Sequence, residues 1–248
     1  MNDLKTVKDY QIILFGLIVA IAVIFSTTIF TKSLIKYQKL QNQTITVTGS
    51  ASQNVTSDFA VLNVSYKAQA VNLKDGYVKM NLSKEKIKNF FVQAGLKSED
   101  IEYRPITNYE VNKKIGNFYT NEVDFYKFDS SMKVSSKDIK LIDEVVKKLD
   151  SLVNDDVLIG YSNVEYYVSN LDDIKIKMVG EATKNAKQRA ESMVNSTGDK
   201  IGSLNSAKMG VFQIVPLNST AVSDYGISDT SSIEKKVVAV VNATFTVK

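Results

Sequence analysis

The sequence predicts an α+β protein: one N-terminal transmembrane helix, then a body whose helices pack on a mostly antiparallel sheet. Three observations carry the prediction. Residues 10–31, YQIILFGLIVAIAVIFSTTIFT, hold no charge in a chain that is 23% charged. Residues 58–70 and 237–248 alternate apolar and polar side chains for about a dozen positions, the period of a strand buried on one face. Residues 73–94 and 169–197 repeat apolar side chains every three to four positions, as helices do.

The uncharged run comes first in the chain. At about 1.5 Å per residue, a helix over residues 10–31 reaches roughly 33 Å, enough for a hydrocarbon core of about 30 Å. Thirteen of the 19 residues from Ile12 to Phe30 are Ile, Leu, Val or Phe. They favour insertion by at most about 4–8 kcal/mol, weakly opposed by Gly16, Ser26, Thr27, Thr28 and Thr31. Tyr10 and Tyr37 flank the run, where amphipathic rings sit at an interface. A cleavable signal has a shorter apolar core and a small-x-small site after it, and IFSTTIFTKS offers no A-x-A. Residues 10–31 are therefore expected to stay as a signal anchor between a tail, 1–9, and a juxtamembrane linker, 32–43. Lys5, Lys8 and the amino terminus on one side face Lys32, Lys36 and Lys39 on the other, so lysine count does not set the orientation. Gly16/Ala20 and Ala22/Ser26 have the spacing that lets helices approach closely, a spacing common in any apolar segment.

Composition narrows the rest. Residues 1–41 hold five of the 31 basic and two of the 27 acidic residues, leaving a nearly neutral body of 26 against 25. No basic face remains for a nucleic-acid partner. Arg104 and Arg189 are the only arginines, and Cys, His and Trp are absent. That excludes disulfides, thiol chemistry, Cys/His zinc sites and any dyad or triad built on His or Cys.

Along the body, residues 44–49 read as a short strand ending at Gly49. In 58–70 the even positions Ala60, Leu62, Val64, Tyr66, Ala68 and Ala70 face inward. Helical spacing follows through Leu73, Tyr77, Met80, Ile87, Phe90, Phe91 and Ala94, and Gly95 closes it. Ile101–Val111 and Phe118–Val134 read as strands joined by a turn over Asn112–Asn117. Ser135-x-x-Asp138 opens a helix with Ile139, Ile142, Val145 and Leu149 inward. Val157–Val168 is a strand. Ser169-x-x-Asp172 repeats the cap before a helix to about Thr197, closed by Gly198. Its stripe, Ile174, Met178, Ala182, Ala186, Ala190 and Met193 or Val194, suits close packing on a sheet. A strand near Val211–Val215 leads into Leu217–Ser232, rich in Ser, Thr, Asp and Gly and expected as an exposed loop. The last strand turns Val237, Ala239, Val241, Ala243, Phe245 and Val247 one way and Lys236, Asn242, Thr244, Thr246 and Lys248 mostly the other.

Four stretches in this order, ITVTGSASQNVTSDFAVLNVSY, KNFFVQAGLKSEDIEY, EATKNAKQRAESMVNSTGDKIGSLNSAKMG and VVAVVNATFTV, resemble the SIMPL domain, also called the domain of unknown function 541. The resemblance spans residues 44–248. Its most specific part is the A-x3-A-x3-A helix running into G-x3-G, a packing signature without chemistry. The family often has Pro-Asp where this chain has Ser57-Asp58. The resemblance implies a bacterial protein of the inner membrane with a cytoplasmic N-terminus. It also implies that residues 32–248 lie in the periplasm or outside the cell, with links to envelope or oxidative stress and no established catalytic residues.

Candidate chemistry is sparse. The acidic pairs Glu99–Asp100, Asp143–Glu144, Asp155–Asp156 and Asp172–Asp173 fall on turns and helix starts, and adjacent residues do not face each other across a cleft as glycoside hydrolysis requires. Asp155–Asp156 lacks the spacing of a calcium loop. Ser33-x-x-Lys36 and Ser83-x-x-Lys86 match the outline of a Ser/Lys nucleophile pair, yet 29 lysines generate such matches by chance. Seven N-x-[ST] sequons, Asn63-Val64-Ser65 among them, follow from an Asn-, Ser- and Thr-rich composition. Tyr103, Tyr109, Tyr119, Tyr126, Tyr161, Tyr166 and Tyr167 read as half-buried sheet positions, with an amphipathic contact surface as the other reading.

No catalytic, cofactor-binding or metal-binding residue is therefore assigned. The expectation is a non-enzymatic, membrane-tethered envelope protein that self-assembles, a ring being one closed form, and acts through contacts with other envelope proteins. The alternative is a binding module for a small ligand or peptide, with Leu217–Ser232 as a lid. A hydrolase would need convergent carboxylates or a desolvated lysine.

Overall fold

The computed structural model describes the backbone of residues 3–248 and the side chains of 14–36 and 43–248. Four helices and ten strands follow one another: α1 (Asp3–Asn42), β1 (Thr44–Thr56), β2 (Phe59–Ala70), α2 (Leu73–Gln93), β3 (Ile101–Tyr103), β4 (Thr107–Ile115), β5 (Phe118–Ser136), α3 (Ile139–Lys148), β6 (Leu158–Tyr167), α4 (Leu171–Asn195), β7 (Ile201–Met209), β8 (Gln213–Pro216), β9 (Ile227–Ser228) and β10 (Glu234–Val247). The chain divides into two compact units. The first comprises Met1–Ala51, Val179–Gly210 and Val240–Lys248; the second comprises Ser52–Met178 and Val211–Ala239.

In the first unit, α1 continues unbroken through residues 32–42. Leu14–Lys36 is a stretch of 23 residues with mean hydropathy 2.4, and none of it is buried. No other described part of the chain covers it, as the protein's own core would cover a buried helix. Its threonines hide their hydroxyls in the preceding turn: Thr27 donates to the Val23 carbonyl at 2.9 Å, Thr28 to Phe25 at 2.8 Å and Thr31 to Thr27 at 2.6 Å. These bonds lower the penalty of placing a hydroxyl in an apolar medium. The flanking Tyr10 and Tyr37 lie outside the described side chains.

The rest of this unit is a helix laid on strands. β10 pairs antiparallel with β7 from Val241↔Met209 to Val247↔Ile201. Thr46 meets Thr244 at 2.9 Å and Thr48 meets Asn242 at 2.6 Å, so the partners of β1 descend as its own numbers rise, as antiparallel neighbours do. Ala182, Ala186 and Ala190 on α4 are fully buried. Gly49 explains their smallness. A Cβ built there would lie 2.2 Å from the Ala182 carbonyl oxygen and 2.6 Å from the Ala186 Cβ. Gly49 is thus the crossing point of helix and strand, and the expectation that the strand ends there is wrong; β1 runs on to Thr56. β7 was also not anticipated as a strand, because seven of its nine residues are exposed and leave no apolar alternation.

The second unit centres on β2. It pairs antiparallel with β5 from Ala60↔Ser136 to Ala70↔Tyr126, and with β6 from Phe59↔Tyr167 to Lys67↔Leu158. All six even positions named above are buried, and with Met80, Ile87 and Phe91 of α2 and Ile142 and Val145 of α3 they form one core. The buried stripe of α2 also holds Gly76 and Ser83, which apolar spacing could not reveal. Gly76 makes room for Phe128, whose ring would lie 2.0 Å from a Cβ there. Gly95 closes α2 with φ +104°, as expected.

Three expected boundaries shift. Ile101–Val111 is broken by Arg104-Pro105-Ile106 into β3 and β4, and β4 runs on to a two-residue turn, Gly116–Asn117. Asp138, and not Ser135, caps α3 by accepting from the Leu141 N–H at 3.0 Å. Ser169 does not cap α4: its N–H and hydroxyl donate to Asp58 Oδ1 at 2.7 and 2.9 Å. The Ser57 N–H donates to the Ile233 carbonyl at 2.9 Å, a bond that a proline at that position would forfeit. In the rest of this unit β10 takes β8 antiparallel, and β8 takes β9 parallel.

Gly49→Ala should destabilise the full-length protein by about 3 kcal/mol or more, because the obstructing atoms are backbone and cannot turn aside. Gly76→Ala should also be destabilising, since the Phe128 ring it would meet is fully buried. Gly180→Ala on α4, with nothing within 4 Å, should be neutral or stabilising by up to about 1 kcal/mol. Thermal unfolding followed by circular dichroism checks the order.

Candidate functional site

Two features of the second unit arise where one strand outruns another. β2 is 12 residues long, and β6 pairs with it only as far as Lys67. Beyond that point the edge of β2 opens on a groove of about 770 Å³ between α2 and the 3-10 turn Leu149–Asp155. Lys79, Leu82, Ser83 and Lys86 face it from α2, spaced at i, i+3, i+4 and i+7, so one helical stripe supplies them. Val153, Asp156 and Leu158 face it from the other side. Leu82, Val153 and Leu158 are 58%, 55% and 48% exposed. Lys79 Nζ donates to the Gln69 carbonyl at 3.0 Å, and Lys86 Nζ donates to the Asp155 carbonyl. Asp156 adopts the left-handed conformation, φ 59°.

β5 in turn outruns β2. It has 19 residues, of which Tyr126–Ser136 pair with β2, while the end before Tyr126 pairs with β4 alone. The result is a two-stranded ribbon. Lys113 and Glu122 brace it with a 2.9 Å ion pair, and the Thr120 hydroxyl donates to the Lys113 carbonyl at 3.2 Å. At its tip Ile115, Phe118 and Tyr119 are 71%, 81% and 70% exposed.

The tyrosines follow this geometry. Tyr126 and Tyr166 are half-buried as expected, but Tyr103, Tyr109, Tyr119, Tyr161 and Tyr167 are exposed, which corrects that expectation. Tyr166 donates to Asp143 at 2.7 Å. Burial, then this bond to a carboxylate, pushes its hydroxyl up to about 12.

The sequence candidates for chemistry do not assemble. Ser83 and Lys86 share the groove, yet the Lys86 ammonium bonds to the Asp155 carbonyl and not to the Ser83 hydroxyl. Ser33 and Lys36 stand exposed on α1. Glu99 pairs with Lys97 at 3.7 Å, Asp172 with Lys175 at 3.2 Å, and Asp143 with Tyr166. Among the described residues no three Asp or Glu come together as a metal-binding group. The Leu217–Ser232 loop is stitched down. Ser223 exchanges two hydrogen bonds with Gln213, Lys236 Nζ donates to the Ser219 carbonyl at 2.8 Å, and the Tyr166 N–H donates to the Thr230 carbonyl at 2.7 Å. A lid would have to break these bonds to open.

One buried pair went unread. Lys235 is 2% exposed, and its Nζ donates to the Asp229 carbonyl at 2.6 Å and lies 3.4 Å from Asp229 Oδ2. Its odd number places it on the inward face of β10 with Val237 and Ala239, a parity visible in the sequence. Burial pushes the Asp229 carboxyl up, but hydrogen bonds from Ser231 and Ser232 and the Lys235 charge outweigh it, leaving a value of about 2 against an ordinary 3.8. Burial pushes Lys235 down against the pull of Asp229. The two effects oppose each other, and the carboxylate, held by several donors, is the firmly charged member.

Asp229→Asn should cost about 3 kcal/mol or more by leaving the ammonium buried alone, and adding Lys235→Met should recover most of it. Because the folded value lies below the unfolded one, the stabilisation by Asp229 is complete above about pH 4 and fades as pH falls from 3.8 towards 2. Denaturant midpoints across that range should fall more steeply in the wild type than in the Asn variant.

No curated protein matches the chain. The family described as SIMPL, a protein of unknown function (DUF541), matches residues 45–245, which take in the whole of the second unit and part of the first. With its strand and helix order running through that whole span, the chain belongs to the SIMPL (DUF541) family.

Proposed function

We propose that this protein is a non-enzymatic, membrane-tethered component of a bacterial envelope, working by self-association and contact with other envelope proteins. Residues 10–31 anchor it in the inner membrane, 1–9 stay in the cytoplasm, and 32–43 lead to an extracytoplasmic domain, 44–248. The side of the membrane follows the family resemblance drawn from the sequence.

The ribbon tip carries this reading. Three large apolar side chains crowd a two-residue turn at more than two-thirds exposure, on a ribbon braced by an ion pair and a cross-strand hydrogen bond. Exposed aromatic and aliphatic clusters of this kind mark contact sites. A tether strengthens weak contacts by raising the local concentration of copies. Further support comes from Tyr103, Tyr109, Tyr161 and Tyr167, exposed tyrosines whose rings combine apolar area with a polar tip.

Full-length protein in detergent or nanodiscs should run as a homo-oligomer in light scattering. Phe118→Ser with Tyr119→Ser should shift it to monomer with an unchanged circular dichroism spectrum. A wild type that stays monomeric at every working concentration overturns the reading. Protease added to intact spheroplasts should digest the body and leave the anchor, and protein purified from cells should retain residues 10–31. A mature chain beginning after Thr31 overturns the tether.

A further inference from the structure

The groove beside β2 combines features that the contact reading does not use. We propose that it is a binding site for an anionic amphiphile: a molecule with a carboxylate or phosphate head and a short aliphatic body.

The head is specified by two ammonium groups. Lys79 and Lys86 line the groove from α2, and neither has a carboxylate within 4.0 Å among the described residues. Asp156 is the one carboxylate on the lining, so the balance is positive. Backbone carbonyls fix both ammoniums, Gln69 holding Lys79 and Asp155 holding Lys86. Each keeps two donors for a ligand, because an ammonium has three. This arrangement lowers the entropy lost when an anion binds. The Ser83 hydroxyl, on the same helical face, adds a neutral donor.

The body is specified by the walls. Leu82 stands between the two lysines on α2, and Val153 and Leu158 oppose it, each about half exposed. An inorganic anion would leave this apolar area wet, and a neutral alkane would leave the ammoniums unpaired. Both parts are satisfied by one molecule that carries a charge at one end. The volume, about 770 Å³, lies in the range of roughly 300–1,000 Å³ usual for small-ligand sites. The cause is topological: β6 starts too late to cover the end of β2, and the 3-10 turn supplies the missing wall from a different part of the chain.

The test uses the full chain in zwitterionic phosphatidylcholine nanodiscs, with lysine acetylation read residue by residue by mass spectrometry. Octanoate and octyl phosphate are the probes; acetate, 1-octanol and octyltrimethylammonium are the controls. Both probes should slow acetylation of Lys79 and Lys86 by about threefold or more relative to Lys140 and Lys187, at concentrations where the controls do nothing. Lys79→Gln should weaken protection of Lys86, and Lys86→Gln that of Lys79, roughly tenfold or more. Leu82→Asp should abolish octanoate protection without changing the circular dichroism spectrum. Nanodiscs of anionic phosphatidylglycerol assign the source. Protection there without any probe identifies a membrane lipid as the ligand; protection only with added probe identifies a free molecule. Equal protection by octanol or by acetate, equal slowing at Lys140, or full protection of the remaining lysine in either Gln variant each overturns the proposal.

Discussion

The register of β2 is the constraint on which the second unit depends. A strand buried on one face cannot slip by one residue without turning its whole apolar set to solvent. With Ala60, Leu62, Val64, Tyr66, Ala68 and Ala70 all buried, β2 has one position available, and β5 and β6 must meet it there. Even the local irregularity is satisfied: where the β6 register shifts after Val64, Ser65 Oγ accepts from the Tyr161 N–H at 2.7 Å. Once the register is set, the unequal strand lengths decide what is left over. The excess of β5 becomes the ribbon, and the excess of β2 becomes the wall of the groove. Neither feature needs a dedicated motif.

This is why the fold was largely legible in the sequence and the candidate sites were not. β2, the alanine stripe of α4 and the inward face of β10 each carry a period sustained over about ten or more residues, and such signals survive any tertiary context. Gly49 was misread because a glycine announces a turn and a close backbone approach in the same way; only the facing Ala182 and Ala186 tell the two apart. β7 was missed because, with one residue after another exposed, its sequence carries no alternation to read. Gly76 and Ser83 were absent from the expected stripe of α2 because burial there rests on a fitted ring and a groove wall and not on apolarity. The groove joins residues from 67 to 158 through strand ends that are offset in space. No local pattern encodes an offset between partners.

The polar groups held in this unit obey one rule. Lys235 is tolerated at 2% exposure because Asp229 gives it both a carbonyl and a carboxylate, and Asp229 is in turn held by Ser231 and Ser232. Ser57, also buried, spends its N–H on Ile233. The Leu217–Ser232 segment is therefore fixed by interior needs, despite a composition that reads as a free loop. Composition reports solvent preference; it does not report which backbone carbonyls a buried lysine requires. Lys79 and Lys86 contrast with Lys235. Their ammoniums also rest on carbonyls, but they stand exposed and without a carboxylate, so their positive charge remains available at the surface.

A protruding tip also constrains how copies can meet. If the tip of one copy seats on a different surface of the next, the contact is heterologous, and repeating it yields either a closed ring or an open filament. A copy tethered through an N-terminal span loses most of these options. If the proposed span inserts every copy the same way round, the copies share one plane and one sense along the membrane normal, so each step between neighbours reduces to a rotation about that normal and a shift in the plane. Rotations of this kind close after a whole number of copies or leave a flat row. They do not generate a helical fibre, which needs a rise along the normal. On the proposed reading, the hazard that an exposed apolar tip poses to a freely diffusing protein would thereby be reduced by the helix that tethers it.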